Sequence, residues 1–336
     1  MEGYESLHLH FNEAYLNEVA VKTQLFNLVT VFTIIGIASR CAVAPIEQKP
    51  STPSTLSANQ LVAEIPVGRE PHRLAAAEGE LWIANSGANT ASRINTETNQ
   101  VVATIQVGHT PVDVSVGEGA VWVANNLDSS VSRLDPKTNQ VTATIQVGEA
   151  PRGLIVGYGS VWVTIGRENA VARIDPLTNQ VITTIQGVTS PAQIAIGEAA
   201  IWVTSRNGNL VSQIDPNTNQ VVATVDIGYP TIGLSVTKDA VWVAGSSEPF
   251  VTRIDLKTNQ IVAQIEVASN SWGVVATDEA VWVTTNSANT LSKIDPQTNR
   301  VVATFEVGSG PVGIEFSDNT LWVANEGDNT VWRIKP

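Results

Sequence analysis

Seven tryptophans, Trp82, Trp122, Trp162, Trp202, Trp242, Trp282 and Trp322, stand 40 residues apart, each flanked by aliphatic residues. A period of that length marks a chain built from copies of one supersecondary unit, since a single copy has nothing against which to bury its apolar face. Every copy follows the same order: a Gly/Pro turn, an aliphatic stretch, a short turn, the Trp segment, a small polar loop, a segment ending in Ile-Asp-Pro or a close variant, and an outer segment such as Val-Val-Ala-Thr-Ile. Apolar residues alternate with small or polar ones, as in Val131-Ser132-Arg133-Leu134 and Val141-Thr142-Ala143-Thr144-Ile145, which is strand periodicity. Asp135-Pro136, Asp175-Pro176, Asp215-Pro216 and Asp295-Pro296 read as turns, with Pro fixing φ and Asp accepting from the amides that follow. The chain is therefore expected to be all-β, a seven-bladed β-propeller of four-stranded antiparallel blades over residues 58–336.

The repeat also predicts how the ring closes. The last copy stops at Trp332-Arg333-Ile334-Lys335-Pro336 and lacks its outer strand, whereas Asn59 to Gly68 copies Asn99 to Gly108 ahead of the first full repeat. Pairing this N-terminal outer strand with the Trp322 blade would cover both open edges.

The formal charge is -13, of which residues 1–57 contribute two negative charges, leaving the repeats strongly acidic. Such a surface argues against nucleic acid as a partner and against general adhesion to anionic membranes. One cysteine, Cys41, allows no intrachain disulfide and no thiolate metal site. Ahead of the repeats, Leu25 to Ala38 is an apolar run preceded by Lys22, the layout of a secretory signal and too short for a comfortable membrane span. Residues 1–20 are acidic and unlike the start of a signal, so translation is expected to begin at Val21. Residues 21–44 then form the signal peptide or lipoprotein signal, and 45–57 a Pro/Ser/Thr-rich linker that packs on nothing. Cys41 is a lipidation candidate, although Ala38 and Arg40 depart from a lipobox and ordinary cleavage near Ala42-Val43-Ala44 is the alternative. Both readings place the propeller outside the cytoplasm, in the periplasm or envelope of a bacterium, with membrane contact only through a lipid anchor and a monomer expected.

In a repeat ring, shared residues mostly build the scaffold, so chemistry is sought where one copy departs from the others. On that reasoning the Trp ladder packs between blades, and Arg93, Arg133, Arg173, Arg253, Lys293 and Arg333 are expected to pair with nearby acids. Nine residues before each ladder Trp the chain has Gly in four copies (Gly153, Gly233, Gly273, Gly313) but Arg73, Asp113 and Gln193 in the other three. One position earlier, His72, Arg152 and Trp272 replace Val, Ala or Ile. At the start of the innermost strand these side chains would converge on the channel mouth, with Arg69, Glu70, His109, Glu149 and Tyr229 in the adjoining turns. Arg167, Glu168, Arg206, Asn207 and Glu248 lie on the loops after the Trp strands, which should share that face. The candidate ligand-binding set is Arg73, Asp113, Arg152, Gln193, Tyr229 and Trp272. Its mixed polarity suits a small polar ligand or a peptide or protein partner, with no cofactor and no metal. The alternative is that these are solvated loop residues of a structural envelope scaffold. No phosphate-cradling Gly loop, nucleophile elbow, zinc motif or calcium loop occurs.

The segments Val-Trp-Val-Ala-Asn, Ser-Arg-Leu-Asp-Pro-Lys-Thr-Asn-Gln and Val-Thr-Ala-Thr-Ile-Gln-Val-Gly-x-x-Pro within 121–151 resemble the YVTN repeat β-propellers and, more broadly, the superfamily that includes streptogramin (virginiamycin B) lyases. The resemblance covers all seven repeats and bears on fold more than on function. It implies, as an alternative activity, a Mg-dependent C–O lyase in which two histidines from neighbouring blades and a Glu two residues before one of them open a lactone by elimination. Glu70-Pro71-His72 matches the Glu-x-His element. At the matching place in the flanking blades stand Val112 and Val312, His109 lies displaced in its turn, and Trp-Val-Ala-Asn replaces the family's Trp-Phe-Thr-Glu. Under that alternative Glu70, His72 and His109 would be catalytic. The departures favour a non-catalytic binder.

Overall fold

The computed structural model describes residues 52–57 and 60–336; the apolar run, Cys41 and Asn59 lie outside them. The 40-residue copies fold into seven four-stranded antiparallel blades, with strands in sequence order from the channel outward in blades 1 to 6. Blade 2 shows the pattern: inner strand Pro111–Gly117, Trp strand Ala120–Asn125, third strand Ser130–Asp135 and outer strand Gln140–Gln146. Blades 1 and 3–7 begin at inner strands Pro71–Ala77, Pro151–Gly157, Pro191–Ile196, Thr231–Val236, Ser271–Ala276 and Pro311–Ser317. Inner strands of successive blades pack side by side, and that of blade 7 meets that of blade 1, so the ring is closed.

Closure uses the N-terminal strand. Leu61–Pro66 is the outer strand of blade 7, antiparallel to Thr330–Ile334, with Ile65 opposite Val331 and Leu61 opposite Ile334. Ile65 is buried and Leu61 packs partly against the Trp282 cluster, whereas Val62 is 47% exposed because its side chain falls on the outer face of the pleat. The linker expectation is corrected: Ser54–Thr55 pairs in parallel with Phe305 and Glu306 on the outer edge of blade 6, and Leu56 packs with Trp282 and Phe305. The open edge there offers unpaired backbone groups that this short segment satisfies.

The ladder tryptophans are buried at the blade interfaces, as Trp122 is against Leu154, Val161, Val163 and Ile174 of blade 3. The repeating cations correct a second expectation. Arg93, Arg133, Arg173, Arg253, Lys293 and Arg333 lie 4.6–5.5 Å over the ladder Trp of their own blade. The guanidiniums reach across to the next blade, where Arg93 donates to Asn139 Oδ1 at 3.0 Å, Arg173 to Asn219 at 2.8 Å and Arg253 to Asn299 at 3.0 Å. Arg333 makes the same clasp on Asn99 at 2.9 Å, across the closure. Only Arg93 and Arg253, among the described members of this series, also meet an acid, Glu80 and Asp239. The acceptor asparagines hold φ between 54° and 58°, a conformation Asn tolerates better than most residues, which accounts for the Thr-Asn-Gln turn. The turn aspartates behave as expected: Asp135, Asp175, Asp215 and Asp295 each accept from the amide two residues on at 2.8 Å.

A chain beginning at Gly68 is expected to melt far lower than the full chain, or to aggregate through the exposed Thr330–Ile334 edge. It loses the ladder to that strand and the burial of Ile65, worth about 1.5–3 kcal/mol alone. A chain beginning at Ser57 loses the Ser54–Thr55 pairing and Leu56, and should melt only slightly lower. Thermal melts of the three proteins check this; equal melting of the Gly68 chain and the parent would refute closure by this strand.

Candidate functional site

The inner strands are regular except at their first residues, where the register with the Trp strand shifts between Pro71 and Leu74, Pro151 and Leu154, and Pro191 and Ile194. Residues in such bulges are released from the ladder and turned out of the sheet. His72, Arg73, Arg152 and Gln193 occupy these bulges, so the strand irregularity itself aims them at the channel.

The glycines at the equivalent positions mark where neighbouring blades come closest. A Cβ on Gly233 would fall 2.6 Å from Trp272 O, on Gly273 2.7 Å from Val312 O, and on Gly313 2.1 Å from His72 O. Where the copy has a side chain instead, the contact changes character. Asp113, only 4% exposed, accepts from Leu154 N of blade 3 at 2.9 Å, from Val114 N at 2.8 Å, and from Gln193 Nε2 at 3.2 Å.

Two cavities result. A mouth cavity of about 100 Å³ is lined by His72, Arg73, Asn126, Arg152, Gln193, Arg206 and Trp272 with the aliphatic Val112, Ala192 and Ile232. A larger one of about 460 Å³ fills the channel below and shares Arg73 and Gln193 with it; Asp113 and Glu315 line its wall. The loops after the Trp strands do share the face with the Gly/Pro turns, since Ser86 N donates to Glu70 O and Asn126 N to Thr110 O.

Of the six expected ligand-binding residues, Arg73, Arg152, Gln193 and Trp272 come together at the mouth and Asp113 lies just beneath. Tyr229 does not join them. It is 8% exposed, tilted against Phe250, and its hydroxyl is bonded to Thr252 Oγ1. Its ring occupies space left open by Gly245, where a Cβ would sit 3.0 Å from Tyr229 Cε2. Gly245 stands where three other copies have Asn, a signal in the sequence for this inward turn. The triad of the lyase alternative is likewise not assembled. His109 is 69% exposed in its side chain and paired with Asp128 at 2.8 Å, and Glu70 turns its carboxylate to Ser86 Oγ at 3.3 Å; neither lines the mouth with His72.

His72 itself is held as a neutral imidazole. Its Nδ1 lies 2.7 Å from Val112 O, and because a carbonyl only accepts, the proton is on Nδ1 and the lone pair on Nε2. Burial lowers its pKa to about 3, helped by the positive charge of Arg73 and, more weakly, Arg206 and Arg152. Burial also lowers the Arg73 pKa against the pull of Asp113, and lowers that of Arg152 together with Arg206 and Arg167. Arg206 stacks 5.7 Å over Trp272, whose Nε1 is tied to Asn270 Oδ1 at 3.0 Å, and His72 meets the same ring edge-on at 5.7 Å.

The two bulge positions do not lead to Arg206, which reaches the mouth from a loop after a Trp strand, or to Glu315 in the channel. Glu315 is an equally plain departure two residues further along the inner strand, where other copies have Ala, Ser, Ile or Val. Burial pushes its carboxyl up to about 8, with Asp113 adding repulsion, while Asp113 is raised to about 6 by burial against the opposing pull of Arg73 and its hydrogen bonds.

A sequence family described as "Repeat of unknown function (DUF6923)" matches residues 34–166, less than half of the chain. No curated protein matches in sequence. Among solved structures, hydrazine synthase of Kuenenia stuttgartiensis superimposes with a TM-score of 0.73 at 16% identity, over 86% of this chain and 99% of that one. A streptogramin B lyase gives 0.72 at 17% identity, over 81% and 96%. The virginiamycin B lyase from Staphylococcus aureus gives 0.73 at 18% identity, over 82% and 98%. At these identities the likeness is one of fold, and the seven-bladed ring is what the three share with this chain.

The channel carboxyls make stability depend on pH in a defined direction. An acid whose folded pKa exceeds its ordinary value keeps its proton longer in the folded state, so stability is lost as pH rises through the folded pKa. Glu315 acts this way between 4.5 and about 8, and Asp113 between 3.8 and about 6, while His72 acts oppositely between about 3 and 6.5. From pH 6.5 to 8 Glu315 alone of these three still titrates. Over that range the parent should lose stability relative to Glu315→Gln, by at most about 1.4 kcal/mol per pH unit. Denaturant titrations at several pH values measure it, and parallel stability curves for the two proteins would show that Glu315 is not held protonated.

Proposed function

We propose that this chain is a non-catalytic, extracytoplasmic β-propeller of the type its repeats resemble, binding a small polar ligand or the polar tip of a peptide or protein partner at the channel mouth. One observation carries the reading: residues that break the repeat in blades 1, 3, 4 and 6 converge on a single cavity rather than scattering over the surface. An inert scaffold has no use for replacing close-packing glycine or aliphatic residues with Arg, Gln and Trp at that one rim. Convergent polar groups beside an apolar wall are the usual make-up of a ligand site.

The lyase alternative is weaker on chemical grounds. Proton abstraction next to a carbonyl needs a base whose pKa lies near the working pH, and an imidazole with a pKa near 3 is a poor one. The second histidine of that scheme is solvent-facing and engaged with Asp128. Among the described residues no group of three or more His, Cys, Asp or Glu side chains is placed to hold a metal ion.

Incubating the purified protein with a metabolite extract, washing and identifying retained compounds by mass spectrometry should return a ligand. The triple variant Arg73→Gly, Asp113→Gly, Gln193→Gly, which carries the residue that the other copies tolerate, should lose it while remaining folded. Retention of the same compounds by both proteins would place binding elsewhere.

The segment Leu25 to Ala38 supports export, with removal of the chain up to the Cys41 to Ala44 region and Cys41 as the point of lipid attachment if it is retained. Mass spectrometry of the envelope fraction should find the shortened chain; an intact chain beginning at Met1 in the cytosol would overturn the proposal.

A further inference from the structure

Two groups of arginines in this protein differ in what their guanidiniums touch. Those of the Trp ladder are spent on structure: Arg93, Arg133, Arg173, Arg253 and Arg333 each have a ladder ring beneath and an asparagine acceptor in the next blade. Arg73, Arg152 and Arg206 have no such acceptor. None of the three guanidiniums makes a hydrogen bond or ion pair to another described residue, and no carboxylate lines the cavity they share. Asp113, the nearest acid in the channel, has its oxygens committed to Val114 N, Leu154 N and Gln193. In a chain with 32 acidic and 19 basic residues, three cations around one small cavity, of which Arg73 alone feels an acid, Asp113 beneath it, are the reverse of the overall balance.

These cations are also supported in place. Arg206 is held over the Trp272 ring at 5.7 Å by cation–π attraction, a contact that uses none of its N–H donors. Arg152 passes over Gly166, where a Cβ would fall 2.8 Å from Arg152 Nε, so that copy has a glycine where its arginine needs room. His72 gives its one ring proton to Val112 O and adds no charge. Like charges gathered and partly desolvated are unfavourable in the empty protein, and a negatively charged guest relieves that repulsion.

The geometry points to a small organic oxyanion as the ligand of the mouth, its carboxylate or phosphate group among Arg73, Arg152 and Arg206 and its short apolar remainder against Val112, Ala192 and Ile232. This deepens the mouth-binding reading and rests on it. Guanidinium forks match the planar, bidentate acceptors of carboxylate and phosphate, and the aliphatic part of the lining gives a short organic remainder an apolar wall to lie against. The acidic exterior disfavours a polyanionic chain threading the same opening.

Calorimetric titration of the full chain at fixed ionic strength tests it, with inorganic phosphate and benzoate as the two oxyanion probes and benzamide as the neutral isostere of benzoate. Saturable binding of phosphate, benzoate or both is expected, benzamide binding at least tenfold more weakly than benzoate. Arg152→Gln and Arg206→Gln should each weaken the bound anion by about tenfold, the loss of one charge-assisted contact, and should melt no lower than the parent when empty. Lys238→Gln, an exposed residue paired with Asp278 outside the lining, should leave affinity unchanged. Benzamide binding as tightly as benzoate, with both lost in the Arg73→Gly, Asp113→Gly, Gln193→Gly variant, would overturn the oxyanion inference and leave mouth binding standing. Absence of saturable binding by either anion at millimolar concentration overturns the inference, as does anion binding undiminished in the Arg152→Gln, Arg206→Gln double variant. The metabolite capture above decides separately whether the mouth binds anything.

Discussion

Each blade covers the next by burying one tryptophan against it, and in five of the seven an arginine over that tryptophan reaches to the neighbour's turn. Everything else in the molecule depends on this interface being satisfied all the way round. Apolar packing supplies most of the attraction, and the guanidinium fixes registry by demanding an acceptor at one place on the adjoining blade. A linear stack would leave one blade with an uncovered face and another with an unclasped arginine. The ring removes both ends, and Arg333 on Asn99 shows the clasp working across the point where the two ends of the repeat array meet. The arrangement also explains why the closing strand must be borrowed from the N-terminus: blade 7 can meet blade 1 only if its own sheet is complete.

With the interface built from the second and third strands and the turns, the first residues of the inner strands carry little of the load. Their bulges leave one or two residues per blade outside the ladder, and four blades use the second position for a glycine that lets the strands approach closely. The other three have side chains there at a cost in close packing. Asp113 offsets that cost by taking over a backbone amide of the next blade, so this departure from the repeat is tied into the scaffold rather than merely tolerated. The rim is therefore a place where the copies can differ without opening the ring.

The channel is electrically divided. Guanidiniums gather at the mouth, and carboxyls lie below, with Arg73 and Gln193 belonging to both levels. Burial acts on the two levels in opposite senses, discouraging protons on His72 and holding them on Glu315 and, less strongly, Asp113. Near neutral pH the mouth keeps its positive charge while the lower wall is only partly ionised, which makes the opening more attractive to anions than the protein's net charge implies.

The 40-residue tryptophan period alone determined the number of blades, the four-strand order within each, the turn chemistry and the origin of the closing strand, because each of these is a local or counting property that survives in one dimension. Comparing copies also located most of the candidate rim, since Arg73, Asp113, Arg152, Gln193 and Trp272 depart from residues whose structural role is visible elsewhere in the chain. Only the tertiary structure decided which polar residues face the same space. Tyr229 turns into the core where Gly245 leaves room; His109 and Glu70 stay on the outer turns with partners of their own; Arg206 swings onto Trp272, two blades away; and the ladder cations choose asparagines of the next blade over acids. Curvature of the ring brings together residues from copies far apart in sequence, and side-chain direction at a bulge is set by the packing of the neighbouring blade, neither of which a single repeat records.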